Sequence, residues 1–260
     1  MIPLDDRGLL LGDGLFETVL SRAGDLVALG EHLERMAAGC AVLGLPAPDR
    51  REAEALMRRA VSDGGLDGAR AAVRLTLTAG SGGRGLDRPD APAPWMFATA
   101  AASAAPTTPA RLRVSSVARN AGSPASRLKT LAYLDNVLAR REATAAGADE
   151  AVMLNGRGHV ACAAAANLFW IVGGQVFTPA LSCGVLDGIV RRQVMAAVAV
   201  TEVAVSAPAL AGTEAMFLTN SLIGVREVAS LDGRMFEPSA QVAQIAGLIS
   251  SPIHGGGAPA

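Results

Sequence analysis

The sequence predicts an α+β protein with mixed sheets flanked by helices and two domains. Strand-like segments outnumber those a doubly wound parallel sheet requires, and several are joined by hairpin signals such as Asn155-Gly156 and Gly173-Gly174. An aperiodic Ala/Ser/Thr/Pro-rich stretch beginning at Ala98 then interrupts the pattern. It is read as the linker, with a first domain over 1–99, a connection over 100–110, a second domain over 111–250 and a disordered Gly/Pro-rich tail over 251–260.

The elements follow in order. Residues 15–20 and 26–29 read as two short strands around the turn at 22–25. Residues 31–43 place Leu33, Met36, Ala37, Cys40 and Leu43 on one helical face, closed by Gly44 and Pro46. A second helix is expected over 49–62. Residues 73–78 alternate as a strand and run into GSGGRG at 80–85, which has neither the spacing of a dinucleotide fingerprint nor the GK[ST] of a P-loop. This loop is either a flexible connection or a substrate-facing one. Beyond the linker come a strand over 112–117, a helix over 131–146, strands over 150–154, 168–172 and 175–178, a helix over 188–200 and a strand over 215–219.

Composition narrows the function classes. The chain has 260 residues, of which 50% are hydrophobic and 18% charged, enough for a sizeable core. A net charge of -1 supplies no field for nucleic acid or an anionic membrane, and 3% aromatic content leaves few platforms for stacking bases. Small molecules and further copies of the chain are the expected partners. Cys40, Cys162 and Cys183 are far apart and lack metal-type pairing, so no metal site is expected and a reducing cytoplasm fits. The N-terminal residues do not resemble a secretory signal, and no apolar run is long enough to span a bilayer.

One lysine, Lys129, stands against 22 arginines. A lysine kept where arginine fills every other cationic position suits a task that needs a deprotonatable amine, such as Schiff-base formation. The alternative is a surface residue left by chance. His32 and His159 read as histidines satisfied by solvent or backbone, and Asp13 and Glu17 as structural carboxylates.

The neighbours decide the matter for Lys129. The segments GDGLFET (12–18), HLER (32–35), KTLAYLDNVLA (129–139), GADEA (147–151), ANLF (166–169), FTP (177–179), GIVR (188–191) and FLTNS (217–221) occur in that order. This series resembles the class IV, fold type IV family of pyridoxal-phosphate enzymes, which holds branched-chain and D-amino-acid aminotransferases and 4-amino-4-deoxychorismate lyases. The resemblance covers roughly residues 5 to 235. It implies that Lys129 binds the cofactor aldehyde as a Schiff base and shuttles the proton at the substrate carbon. It further implies that Arg35, the backbone N–H groups of Ile189 and Val190 and the hydroxyl of Ser221 hold the cofactor phosphate, chemistry suited to a cationic fork and a helix N-terminus. Tyr133 is placed near the ring oxygen, although relatives differ by one residue in its spacing from the lysine. Arg84 and Asn220 are read as substrate-binding. A homodimer is expected by analogy.

Two departures stand out. At 158–167, GHVACAAAAN, the family usually carries glutamate where this chain has Cys162; that glutamate keeps the cofactor's pyridine nitrogen protonated. A neutral thiol cannot compensate a pyridinium, and a buried thiol stays neutral unless a cation is near. Transamination depends heavily on that electron sink, whereas elimination that creates an aromatic ring has a driving force of its own. The segments at 80–85 and 165–170 (AANLFW) also resemble the lyase branch most, so 4-amino-4-deoxychorismate lyase is the favoured reaction, with an amino-acid aminotransferase as the alternative and a non-catalytic cofactor-binding paralogue third. The second departure is at the start, where relatives commonly carry one or two further strands. Either the start is misassigned or the first sheet has an open edge.

Overall fold

The structure, a computed structural model, describes residues 2–250. The tail read as disordered falls outside the described residues. The chain forms two sheets in succession. The first is antiparallel, in the order β2-β1-β3-β4, with β1 at Gly14–Arg22, β2 at Asp25–Leu26, β3 at Arg70–Thr78 and β4 at Trp95–Ala102.

Three helices accompany this sheet. Helix α1 (Arg7–Leu11), which the sequence pattern did not signal, is capped by the Asp6 carboxylate, which accepts from Leu9 N. Helix α2 (Leu29–Leu43) ends at Gly44, whose φ of 65° is the left-handed conformation glycine adopts without a Cβ penalty. Helix α3 (Arg50–Asp63) starts at Asp49, whose side chain accepts from Glu52 N. The inner faces of α2 and α3 meet β1 and β3 in one core containing Met36, Met57, Val61, Val19 and Leu75, all at most 2% exposed. Truncating Met57 to alanine there removes about 2–5 kcal/mol.

Strand β4 corrects the linker reading. Residues 98–102 belong to this strand and pair antiparallel with β3 from Ala71↔Ala102 to Leu75↔Ala98. Small alanines on a strand whose residues are only partly buried show no alternation, so the ladder was invisible in the pattern. The connection between the sheets is confined to residues 103–109.

The second sheet has nine strands in the order β10-β9-β8-β11-β12-β5-β6-β7, with β13 on β12. These are β5 (Ala110–Val114), β6 (Glu150–Leu154), β7 (Val160–Ala163), β8 (Asn167–Val172), β9 (Gln175–Pro179), β10 (Val200–Val203), β11 (Ala215–Asn220), β12 (Gly224–Leu231) and β13 (Arg234–Met235). Pairings of β5 with β6, β5 with β12 and β9 with β10 are parallel and the rest antiparallel, which makes the sheet mixed as the hairpin count predicts. Helices α4 (Leu134–Ala145), α5 (Ile189–Ala197) and α6 (Ala240–Ser250) pack around it.

Helix α4 begins three residues later than the pattern predicts. Residues 129–131 are extended against β1 instead: Phe16 N donates to Lys129 O (2.9 Å) and Leu131 N to Gly14 O (3.0 Å). Gly14 is required at this junction, since a Cβ there would lie 2.4 Å from Leu77 O. The first sheet thereby dictates the backbone of the lysine segment.

Candidate active site

A cavity of about 260 Å³ opens where β1 and α2 face the ends of β7, β8 and β11. Arg35, Lys129, Tyr133, Cys162, Ile189, Asn220 and Ser221 all line it. Val190 does not. Its side chain is buried, so only its backbone could serve a ligand. Arg84 is exposed and absent from the cavity wall, so the structure does not bring this residue to the others within the chain. The glycine-rich loop that carries it is a packed turn. Cβ atoms at Gly80 and Gly83 would fall 1.9 and 2.1 Å from the carbonyls of Ala93 and Asp87, and Arg7 donates to the carbonyls of Leu86 and Asp87 (both 2.8 Å).

Lys129 projects its amine into the cavity 4.1 Å from the Phe16 ring centroid and 5.3 Å from that of Tyr133. Burial lowers its pKa to about 8, an effect that Glu17 opposes and Arg35 and Arg74 reinforce. Near neutral pH a useful fraction of the amine is therefore uncharged and nucleophilic. Tyr133 meets Phe16 edge to face at 5.0 Å, and burial raises its pKa, so the phenol keeps its proton and remains a hydrogen-bond donor.

Arg35 is held by a carboxylate that the sequence reading treated only as structural. Its Nε and Nη2 donate to Glu17 at 2.8 and 2.6 Å, and Nη1 donates to Asp187 O at 3.1 Å. His32 Nδ1 lies 2.7 Å from the second Glu17 oxygen. Burial alone would raise the Glu17 pKa, but the His32 and Arg35 bonds bring it down to about 2. His32 is thus a buried partner of the site rather than a surface histidine, and its Nε2 has no protein partner among the described residues. A carboxylate next to Phe16 and a histidine three before Arg35 were visible in GDGLFET and HLER, but nothing in the spacing showed that they meet.

Helix α5 starts at Gly188 with no side-chain cap, leaving its N-terminus, positive by its dipole, at the cavity. A Cβ at Gly188 would fall 2.0 Å from Asn167 Oδ1, whose amide nitrogen donates to Leu186 O (2.9 Å). Thr219 also lines the cavity, and its Oγ1 is fully buried with no partner among the described residues. An orphaned hydroxyl, an uncapped helix start and a cationic fork form an anion cradle. Asn220 is engaged elsewhere: its Nδ2 donates to Ala165 O (2.9 Å) and its Oδ1 accepts from Leu222 N (2.9 Å).

Cys162 forms another part of the wall, and burial raises its thiol pKa, partly offset by Arg119. Arg119 also lines the cavity. As one arginine among many it carried no sequence signal.

The residues present therefore fit pyridoxal phosphate: Lys129 for its aldehyde, and Arg35 with the α5 N-terminus and Thr219 or Ser221 for its phosphate. The family pattern of class IV amino-transferases matches residues 14–231. A putative branched-chain-amino-acid aminotransferase from Methanocaldococcus jannaschii is 30% identical over 92% of this chain and 85% of its own length. An aminodeoxychorismate lyase from Vibrio harveyi is 28% identical over 88% and 87%, respectively. The crystal structure of a putative 4-amino-4-deoxychorismate lyase from Legionella pneumophila superimposes with a TM-score of 0.87 at 28% identity, covering 95% of this chain and 94% of that one. The chain belongs to the class IV aminotransferase family and is a pyridoxal-phosphate-dependent enzyme of fold type IV.

Proposed function

We propose that the enzyme is a 4-amino-4-deoxychorismate lyase, releasing 4-aminobenzoate and pyruvate. The observation that carries this reading is Cys162, a neutral thiol on the cavity wall where the family resemblance expects glutamate. The resemblance of the segments at 80–85 and 165–170 to the lyase branch and the similarity to two lyases support it. When bound, pyridoxal phosphate supplies an electron-withdrawing imine that acidifies the C–H bond beside the substrate nitrogen.

The remaining work falls to the chain. Lys129 takes the proton from the amine-bearing ring carbon, for which its lowered pKa suits it. The electron pair of that C–H bond completes the aromatic ring as the neighbouring C–O bond breaks. The proton then goes to the departing enolpyruvyl fragment, which leaves as pyruvate, so atoms and charge balance. Tyr133, whose buried phenol keeps its proton, lines the cavity and would offer a hydrogen bond to the bound cofactor or substrate. Arg74 does not itself line the cavity, but its guanidinium lies 3.6 Å from the ring centroid of Phe16, which does, and its charge acts on Lys129, so it would draw a substrate carboxylate towards this wall.

The second reading is an amino-acid aminotransferase with a 2-oxo-acid acceptor, favoured by the 30% identity with the putative branched-chain enzyme. Incubation with aminodeoxychorismate discriminates the two: 4-aminobenzoate and pyruvate in equal amounts support the lyase. Indifference to that substrate, with glutamate formed from amino acids and 2-oxoglutarate, overturns it.

We further propose a cytoplasmic homodimer. Leu9, Leu10 and Leu11 of α1 and Leu134, Val137 and Leu138 of α4 are all exposed, and the two segments adjoin where Gly12 packs on Ala132. An apolar patch of this kind is what a second copy would cover. The three buried, unpaired cysteines agree with a reducing compartment. Light scattering of the purified protein tests the assembly; a monomer at micromolar concentration rejects it.

A further inference from the structure

The wall formed by Cys162 is cationic as well as neutral in its thiol. Arg119 is 8% exposed, and its three donor nitrogens go to Gly184 O (3.0 Å), Asn136 Oδ1 (3.1 Å) and Ser126 O. Every acceptor is uncharged, and no carboxylate forms an ion pair with Arg119 among the described residues. A buried guanidinium without a counter-charge keeps its field in the cavity, where it is screened less than at the surface. Asn136 fixes its position, since it also donates to Ala164 O (2.7 Å).

The other charged groups around the cavity do not cancel that field. Lys129 adds positive charge across the space, whereas Arg35 is neutralised by its ion pair with Glu17. Glu17, the carboxylate nearest them, is consumed by Arg35 and His32. Glu150, on the neighbouring strand β6, is bonded to Arg140 and Ala151 N and does not line the cavity; its charge reaches Cys162 but acts on the thiol less than that of Arg119. Tyr133 keeps its proton and offers no negative charge.

We infer that the wall made by Cys162 and Arg119 holds the ring nitrogen of bound pyridoxal phosphate unprotonated. The inference rests on the reading that Cys162 stands beside that nitrogen and that Lys129 anchors the cofactor. A guanidinium nearby opposes a second positive charge on the ring, and a neutral thiol offers only a weak hydrogen bond. The enzyme then lacks a store for the electron pair released at the substrate carbon. Reactions that pass the pair directly to a leaving group proceed, while those that must hold it for reprotonation at the cofactor carbon are suppressed. Arg119 thereby acts as a specificity-determining residue.

The test is nitrogen NMR of the holoenzyme reconstituted with cofactor labelled at the ring nitrogen. The expected resonance is that of an unprotonated pyridine from pH 6 to pH 9, unchanged in Cys162→Ser and moved to the pyridinium position in Cys162→Glu. As a second readout, an analogue with carbon in place of the ring nitrogen should bind within about twofold of pyridoxal phosphate, because no bond to that atom is lost. In Cys162→Glu the natural cofactor should be preferred by at least about tenfold. A pyridinium resonance in the unmodified enzyme overturns the inference, and its loss in Glu150→Gln would identify the acid responsible. Borohydride fixation separates the two layers of the argument. Failure to label Lys129 overturns the site reading and this inference with it, whereas labelling together with a pyridinium signal overturns only the inference.

Discussion

The two sides of the cavity contrast in how they treat charge. On the proposed phosphate side the guanidinium is answered, since Arg35 lies in a two-pronged bond with Glu17 and His32 completes the carboxylate, and only the α5 N-terminus is left open to an anion. On the Cys162 side Arg119 has only neutral acceptors. The first side is built to retain a cofactor by charge and geometry. The second sets what the retained cofactor can do, by withholding the negative charge its ring would need. Binding and reaction choice are thus separable in this protein, and variants should divide accordingly.

The largest effect is expected at the residue both sides share. Lys129→Ala should lower turnover at least about a thousandfold, about 4 kcal/mol on the barrier, and Lys129→Arg should fail equally because a guanidinium does not deprotonate. Turnover together with mass spectrometry of borohydride-treated protein checks this; a fully active Lys129→Arg variant would move the chemistry elsewhere.

Next comes the carboxylate beneath the phosphate grip. Glu17→Gln leaves a buried arginine with half its partner and should cost about 3 kcal/mol of stability, read by urea unfolding at pH 7. The pH dependence has a definite sign. The folded-state pKa of about 2 lies below the ordinary 4.5, so this stabilisation is fully present above pH 4.5 and disappears as pH falls through 2. The gap between wild type and variant should therefore close in acid; a gap that widens there contradicts the assignment.

A smaller, more selective loss belongs to the grip itself. Arg35→Gln should weaken pyridoxal phosphate binding by about tenfold to a hundredfold, the value of one or two charged hydrogen bonds, and leave pyridoxal, which lacks the phosphate, almost unaffected. Equal losses for both ligands would remove Arg35 from the phosphate site. The gentlest effect is kinetic: cofactor capture should rise with pH as Lys129 deprotonates and level off just above pH 8, because its pKa is about 8 rather than 10.5. A rise continuing to pH 10 would mean the amine is not desolvated.

Much of the architecture was legible in the pattern. Hairpin signals at Asn155-Gly156 and Gly173-Gly174 reported mixed sheets, and the helices at Leu29–Leu43 and Arg50–Asp63 lie within two residues of their expected limits. Strand β4 was missed because small alanines carry no period, and Leu131 was misjudged as helix because its backbone N–H bonds to Gly14 O in β1. At the site, Lys129, Arg35, Tyr133, Cys162, Ile189, Asn220 and Ser221 share one cavity, whereas Arg84 sits on an exposed turn. Glu17, His32, Thr219 and Arg119 were not legible as site residues, since each is an ordinary residue type whose meaning comes from what it faces.

By itself the sequence determined the family and the mixed-sheet architecture and singled out Lys129 as the expected reactive amine, because motif order and a solitary lysine are properties of the chain. Only the tertiary structure decided the electrostatics. Whether a carboxylate is free or spent and whether an arginine is paired or bare depend on contacts between residues such as Glu17 and Arg35 or Arg119 and Gly184, which lie 18 and 65 positions apart. Burial decides how far such charges are felt, since a field that water would screen at the surface persists further between buried groups.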